Sequence, residues 1–537
     1  MRLYAALLAL PVLLTACSDD GGGTGSSASD SVSGGSTGAS TTATTGGTTM
    51  EVPTTGATGT QGMTCTPGQV QECDSCDGAA MGTQTCAADG GGWGPCECPP
   101  AAVCGDGNVD AGEACDDGTN DGAYGGCEAD CSALAAHCGD AAINGPEACD
   151  DGNDVDGDGC NVDCVISGSE VWTRNYPGED AGDAKARGVA VDGAGNVVIV
   201  GQEFVVGQNA NIWARKYTPD GDVLWSYSWN GKDNGDDIAR AVAIAPGDDI
   251  VITGETYVAG SGADVWTATL SAGMQEKWIK TYNGPGNLGD RGYGVAVEAA
   301  TGDIVVTGEE YKLIGLHNAW TRRMDKDGNP LWSDAYDANA GEDTGRAVAI
   351  ADNGDIVVVG DIYVPIGLAN LWLRRYSADG AVLWSKDMDH MLGNDRAHAV
   401  TITDDGTIAV VGEVYEVAGL AAIFASKWTE DGAMMTWSQI QDSDGGDNDF
   451  GHGVAVDSKG NLVAVGEEYT ANDFARVWVR KYDPANAELW TQTFDGVDAG
   501  NDIAWAVAIA PDGHIYAAGE EYKVGQFADV WLRKYAP

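Results

Sequence analysis

Four groups of residues in this chain have the types and spacing to do chemistry. The first is Asp154-Val-Asp156-Gly-Asp158-Gly159. Carboxylates two residues apart in a tight turn can converge on one hard cation, so Asp154, Asp156 and Asp158 are candidate calcium ligands. The twelfth position of such a loop should be a bidentate Glu and is Val165 here, so this is no EF-hand. A turn that uses Asp and Gly for backbone reasons is the other reading. The second group is GGSTG, Gly34 to Gly38, which matches G-x-S-x-G. A nucleophile elbow needs a strand before it and a helix after it, and the surrounding residues offer neither.

The third group is cysteine. The chain holds 15. Setting Cys17 aside leaves an even number, all between Cys65 and Cys164, and residues 165–537 have none. Clustered, even-numbered cysteines in an exported chain read as a disulfide framework. Residues 65–98 carry Cys65, Cys73, Cys76, Cys86, Cys96 and Cys98. Cys73-x-x-Cys76 has a zinc-like spacing, but Cys96-x-Cys98 does not match it, and disulfides are expected. Cys104, Cys115, Cys127 and Cys131 lie in residues 104–131; Cys138, Cys149, Cys160 and Cys164 lie in residues 138–164 at nearly the same spacing.

The fourth group is a set of polar residues that recur in pairs. In GRAVAIADNGDIVVVGD, Arg346 and Asp361 stand at the outer ends of two apolar runs joined by Asn353-Gly354. Asn-Gly signals a two-residue hairpin, which would set Arg346 opposite Asp361. The same construction sets Arg187 against Gln202, Arg240 against Glu255, His398 against Glu413, His452 against Glu467 and Trp505 against Glu520. In one copy an extra residue near Thr301 shifts Tyr293 against Glu309. An opposite-charge cross-strand pair contributes roughly 0.2–1 kcal/mol, so a pair found in every copy reads as structural. What differs between copies is more informative for binding: Tyr293, His398, His452 and Trp505.

The elements that carry these pairs recur. The Gly that closes the apolar run falls at 201, 254, 308, 360, 412, 466 and 519. An aromatic-led strand such as LWLRRY (Trp372) follows each, and a W-x-x-x-aromatic element such as LWSYSW (Trp225) follows that. Four short strands per period of about 53 residues make a propeller blade. The W-x-x-x-aromatic element also appears first, at Trp172, while the chain stops after the seventh aromatic-led strand, VWLRKY. The expected fold is therefore an all-β, seven-bladed β-propeller over 170–537, closed by its N-terminal strand. Small disulfide-rich modules and a tether precede it. Its inner strands would line a channel, with the pairs forming a ring at one mouth.

The wording of these repeats resembles a bacterial β-propeller repeat family, and the DGxxLW turns are similar to quinoprotein propellers. The pattern CGDG…GE-x-CDDGN…GDGC…C resembles the cysteine-rich repeat of myxobacterial surface proteins. That likeness implies an extracellular module with two disulfides per copy and no known enzymatic activity. The first copy departs from the pattern with CDDGTN and GGC. The opening MRLYAALLALPVLLTAC reads as a secretory signal, and Leu14-Thr15-Ala16-Cys17 resembles the bacterial lipobox. That resemblance implies cleavage after residue 16, diacylation of Cys17 and, with Ser18 following, an outer-membrane lipoprotein. Residues 17–64 are Gly, Ser and Thr with little else, a disordered tether with a reach of about 40 Å.

The formal charge is −54, from 28 basic and 82 acidic residues. It argues against nucleic acid, whose phosphates need Lys and Arg. Cations or basic partners are favoured, and calcium is the one cofactor with a place to bind; acid also simply keeps an exported chain soluble. The inter-blade loops (NGKDNGDD, NGPGNLGD, DGVDAGND) share the mouth and are acidic. The expected function is a non-enzymatic cell-surface lipoprotein, held to the membrane through its lipid, whose propeller mouth binds a surface protein, a glycan or cations. A propeller enzyme (quinoprotein-like, lyase or glycosidase) and a purely structural envelope protein are the alternatives. Against an enzyme, no H-E-x-x-H occurs and no blade carries a unique nucleophile–base pair.

Overall fold

Seven four-stranded antiparallel sheets follow one another around a ring, and no described residue is helical. The computed structural model describes residues 65–73, 81–98, 103–110 and 112–537. From the last range it omits 181, 313–315, 339–340, 366–367, 391–392, 416–419, 442–447, 470–473, 499 and 526. Cys17, the tether up to residue 64 and Cys76 lie outside the described residues. The chain divides into two units, Met1–Ala101 and Ala102–Pro537.

In the first unit, Val70–Cys73 pairs with Gly82–Thr85, and Cys65–Cys86 and Cys73–Cys96 are disulfides. Cys98 is disulfide-bonded as well. In the second unit the two cysteine-rich repeats share one pairing, first with fourth and second with third. The bonds are Cys104–Cys131 and Cys115–Cys127, then Cys138–Cys164 and Cys149–Cys160. The first Asp after each repeat's second Cys explains CDDG. Asp116 accepts the backbone N–H groups of Gly105, Asp106 and Gly107, and Asp150 those of Gly139, Asp140 and Ala141.

From the inside outward, the strands of blade 4 are Thr344–Ile350, Ile356–Val364, Leu368–Tyr376 and Val382–Met388. The other blades repeat this order. Blade 7 takes Ile503–Ile509, Ile515–Tyr522 and Ala528–Tyr535 from the C-terminal end and Glu170–Tyr176 from far upstream as its outer strand. The expected closure is thus present.

Each sheet is apolar on both faces because each is packed between two others. Val357, Val359, Leu371 and Leu373 of blade 4, for example, lie in one cluster with Ile408, Val410 and Phe424 of blade 5. The recurrent tryptophans fill the wedge between blades. The third-strand Trp is buried in six of the seven blades, as Trp213, Trp266, Trp320, Trp372, Trp478 and Trp531. The W-x-x-x-aromatic element clasps the next blade with both of its rings. Trp278 Nε1 donates to Lys326 O at 3.0 Å, while Tyr282 stacks on Trp320 at 4.9 Å.

The register differs by one residue from the two-residue hairpin. Ile350 opposes Ile356, and Ala351 exchanges its N–H and C=O with Asp355 and Gly354. The turn therefore spans three residues and ends on Gly354 in the left-handed region (φ 82°). That three-residue turn is the alternative a DNG sequence equally permits. A bulge then follows: Gly345 opposes Gly360, Ala347 opposes Val359, and Arg346 has no backbone partner. Thr344, not Arg346, faces Asp361. The same bulge falls at 187, 240, 293, 398, 452 and 505. It turns a strand carbonyl toward the recurrent glycine. A Cβ on Gly360 would lie 1.9 Å from Thr344 O, and a Cβ on Gly254 1.9 Å from Ile238 O. That contact is why the residue is Gly in every blade.

Candidate functional site

A bulge frees its side chain from the alternation of the strand and re-aims it. Here all seven re-aimed residues, including Tyr293, His398, His452 and Trp505, line one cavity of about 510 Å³ at the channel mouth. Arg396, Phe450, Glu413 and Glu467 complete it.

The side-chain pairs form despite the register change. Arg240 Nη2 donates to Glu255 at 2.8 Å, His452 Nε2 to Glu467 Oε1 at 3.2 Å and Trp505 Nε1 to Glu520 at 2.9 Å. Arg346–Asp361 and His398–Glu413 are also bonded. No hydrogen bond joins Tyr293 to Glu309; Arg291 Nη1 takes that acid at 2.5 Å. A second set of cations, two residues before the bulge, links adjacent blades. Glu255 also receives Arg291 Nε of the next blade at 2.7 Å, and Glu520 receives Lys185 across the closing seam at 2.7 Å. Arg396 reaches both Asp361 of the preceding blade and Glu413 of its own. Reading one partner per acid missed this second set. The period-two spacing of Arg396 and His398 on one strand is the signal that points to it.

The mouth is therefore not the acidic opening that composition suggests. Most of the acids are buried against cations, and guanidinium groups and rings line the cavity beside Glu413 and Glu467. Arg187 lies over the Trp505 ring at 5.2 Å, and Arg240 over Tyr293 at 4.8 Å. Trp505 and His452 are 4.3 Å apart, and His398 meets His452 edge-on at 5.5 Å. Burial raises the Glu413 carboxyl, but His398, Arg396 and Arg346 outweigh it and hold it low. Burial lowers His398 against the pull of Glu413, and Arg346 and His452 oppose its charge further. Arg396 and Arg346 add to His398 in keeping Glu413 ionised. Burial and then Glu309 push the Tyr293 phenol up to about 12, so it stays a neutral donor.

Arg187 breaks the pattern. Its blade carries Gln202 where others carry an acid, and the Gln202 amide oxygen at 3.3 Å is its polar partner. Among the described residues, no carboxylate lies within ion-pair distance of it.

The acidic inter-blade loops are partly absorbed by the fold. The last Asp of each of six loops (237, 290, 343, 395, 449 and 502) is fully buried. Asp237 accepts N–H from Gly231 and Tyr257 and the hydroxyl of Thr256, and Asp502 accepts N–H from Gly496 and Tyr522. Each such carboxylate thus ties an inter-blade loop to the second strand. Burial raises the pKa of Asp237, Asp290, Asp343 and Asp395, and that of Asp502 to about 6. A carboxyl whose folded pKa is raised holds its proton longer in the folded state. Its contribution is complete below the unfolded value and is lost as pH rises through the folded one. The melting temperature is therefore expected to rise as pH falls from 7.5 to about 5 at constant ionic strength. Asp502→Asn is expected to flatten part of that slope. A melting temperature that is level or falls over this window counts against the assignment.

Asp154, Asp156 and Asp158 are not brought together. Asp156 Oδ1 accepts the Val162 N–H at 3.0 Å and Asp158 Oδ2 the Asn153 amide at 3.4 Å. Among the described residues, the three-member ligand clusters are Glu113, Asp116, Cys131 and Glu147, Asp150, Cys164. Their cysteines are in disulfides and the Asp of each ties down backbone, so neither cluster offers three free donors.

The second cysteine-rich repeat sits on the face opposite the mouth. Lys459, in the inner hairpin turn of blade 6, donates to Asp156 O at 3.0 Å, and Ala536 N donates to Ser169 O at 2.9 Å.

This architecture is a closed seven-bladed β-propeller carried behind disulfide-linked repeats. No family model matches the sequence, and no curated relative matches it either. Among solved structures, a protein of unknown function from Dyadobacter fermentans is similar at 10% identity, over 69% of this chain and 100% of that one, with a TM-score of 0.39. An ulvan lyase, a polysaccharide lyase, is similar at 11% identity over 69% and 95%, with a TM-score of 0.43. A gluconolactonase from Xanthomonas campestris is similar at 16% identity over 54% and 91%, with a TM-score of 0.30. At these values the likenesses carry no argument about activity.

Proposed function

We propose that this chain is a non-enzymatic surface lipoprotein, anchored through Cys17 in the outer membrane. Its propeller mouth binds an anionic group of an envelope protein or glycan. The carrying observation is Arg187, a guanidinium in the cavity with Gln202 where its neighbours have an acid. A half-buried guanidinium without a carboxylate is a site for one from outside, since a charged hydrogen bond contributes about 1.5–3 kcal/mol. Arg240 beside it has its Nε buried without a partner, a second donor for the same group. The cysteine-rich repeat occupies the opposite face and leaves the mouth open.

Oligogalacturonate and oligoglutamate, titrated at low salt, are the two probes. Binding of at least one is expected, and Arg187→Gln is expected to weaken it about ten-fold or more. Gln202→Glu should do the same without touching Arg187, by supplying the missing carboxylate from within. Binding unchanged in both variants would move the site elsewhere. New reducing ends in the oligogalacturonate would make the propeller an enzyme.

A further inference from the structure

The cavity has a second unsatisfied group, of opposite sign. Glu467 lines it and is only 6% exposed. Its Oε1 accepts from His452, and its Oε2 has no partner. The other belt acids do better. Glu413 takes Arg396 and His398, Glu520 takes Lys185 and Trp505, and Glu255 takes Arg240 and Arg291. The cause lies in the sequence. The position two before the bulge, Arg in two other blades and Lys in a third, is Phe450 in this one and Ile503 in the next, so no cation reaches Glu467 from either. A buried carboxylate oxygen left unpaired costs free energy until a donor reaches it.

Arg187 and Glu467 stand at the two ends of one stack of rings. Arg187 covers Trp505, Trp505 packs on His452, and His452 donates to Glu467. Gln202 thus leaves Arg187 without a carboxylate, and Phe450 with Ile503 leaves one oxygen of Glu467 without a donor; both groups border the same cavity. We infer that the mouth takes a zwitterionic ligand: a carboxylate at Arg187 and an ammonium at Glu467, with the aliphatic part of the ligand along Trp505 and His452. An amino-acid or short-peptide ligand with separated charges has this chemistry; a simple polyanion does not. The inference rests on the mouth being the binding site and narrows what it binds.

The test is a molecular ruler on the full chain. Straight-chain ω-amino acids of increasing length are titrated by calorimetry or ligand-observed NMR, each beside the alkyl carboxylate and the alkyl amine of equal length. At one length the zwitterion is expected to bind about ten-fold tighter or more than its carboxylate counterpart, with weaker binding at shorter lengths. Glu467→Gln should erase that advantage and leave carboxylate binding intact; Arg187→Gln should remove both. A melting curve confirms that each variant folds, and the wild-type ruler alone decides the matter if one does not. Carboxylates that bind as tightly as zwitterions at every length overturn this inference and leave the anion site standing. No binding by carboxylate or zwitterion overturns both.

Discussion

A chain that begins at residue 177 is expected to fail as a soluble, cooperatively folding protein, whereas one that begins at residue 165 is expected to fold. The twelve residues between include the outer strand of blade 7, Glu170–Tyr176. Without it, Ala528–Tyr535 becomes an exposed edge with Val530 and Leu532 in its middle, and such edges seed aggregation. The strand also fastens blade 7 to blade 1. Trp172 Nε1 donates to Pro219 O at 3.1 Å, Tyr176 stacks on Trp213 at 4.9 Å, and the Tyr176 hydroxyl donates to Glu203 at 2.7 Å. Arg174 donates to the carbonyls of Asp220 and Gly221. Two large aromatic contacts at about 1.5–3 kcal/mol each, with several hydrogen bonds at about 1 kcal/mol each, approach a domain's whole margin of about 5–15 kcal/mol. Size-exclusion chromatography and thermal melts of the two chains decide it. A monomeric 177–537 that melts within a few degrees of 165–537 would show that the ring does not need this closure.

The closure was legible because it rests on the order of elements, not on geometry. An outer-strand element at Trp172 stands upstream of every other repeat, and it pairs with the seventh aromatic-led strand at Trp531. The identities of the mouth residues were legible for a similar reason. Arg187, Arg240, Tyr293, Arg346, His398, His452 and Trp505 hold one position in the repeat, so whatever that position faces, they all face. The register was not legible. Asn353-Gly354 is compatible with a two-residue loop and with a three-residue loop ending on Gly354, and the choice shifts every backbone pair by one. The side-chain pairs survive because a bulge at Arg346 adds a second offset on the inner strand. The sign of the mouth was also hidden. A total of −54 describes the whole surface, whereas a cavity lining depends on which side of a buried ion pair faces in. Three buried acids in the belt, Glu255, Asp361 and Glu520, are each shared between neighbouring blades, and no spacing along the chain reports a contact between blades.

Function and fold separate along the same line. Features present in nearly every blade are structural devices: the buried Asp that ties loop to strand, the Trp in the wedge, the acid behind the mouth. Gln202, where the acid is withheld, and the apolar Phe450 and Ile503, which bring no cation to Glu467, each leave a charge that the fold does not use. A surface selected only for solubility has no reason to keep such charges inside a cavity, where desolvation makes them costly.

Replacing Gly254 by alanine is expected to destabilise the protein by about 3 kcal/mol or more, at the upper end of overpacking substitutions. The added methyl would lie 1.9 Å from Ile238 O and 2.9 Å from Ala239 Cα, both backbone atoms that no side-chain rotation can move. Relief requires the inner strand to give up its bulge, and that strand packs against the inner strands of both neighbouring blades. The bulge also aims Arg240 at Glu255, so relaxation would break a pair whose acid is 5% exposed. Losing one partner of a buried pair is itself costly, about 3–5 kcal/mol when the remaining charge has no other. Here Arg291 still holds Glu255, which keeps the loss below that sum. Gly273→Ala is the control: nothing lies within 4 Å of its would-be Cβ, and a change within about 0.5 kcal/mol is expected. Denaturant melts of the two variants separate a steric cause from a general intolerance of alanine. Equal, small shifts in both would mean that the glycine recurs for some reason other than the carbonyl beside it.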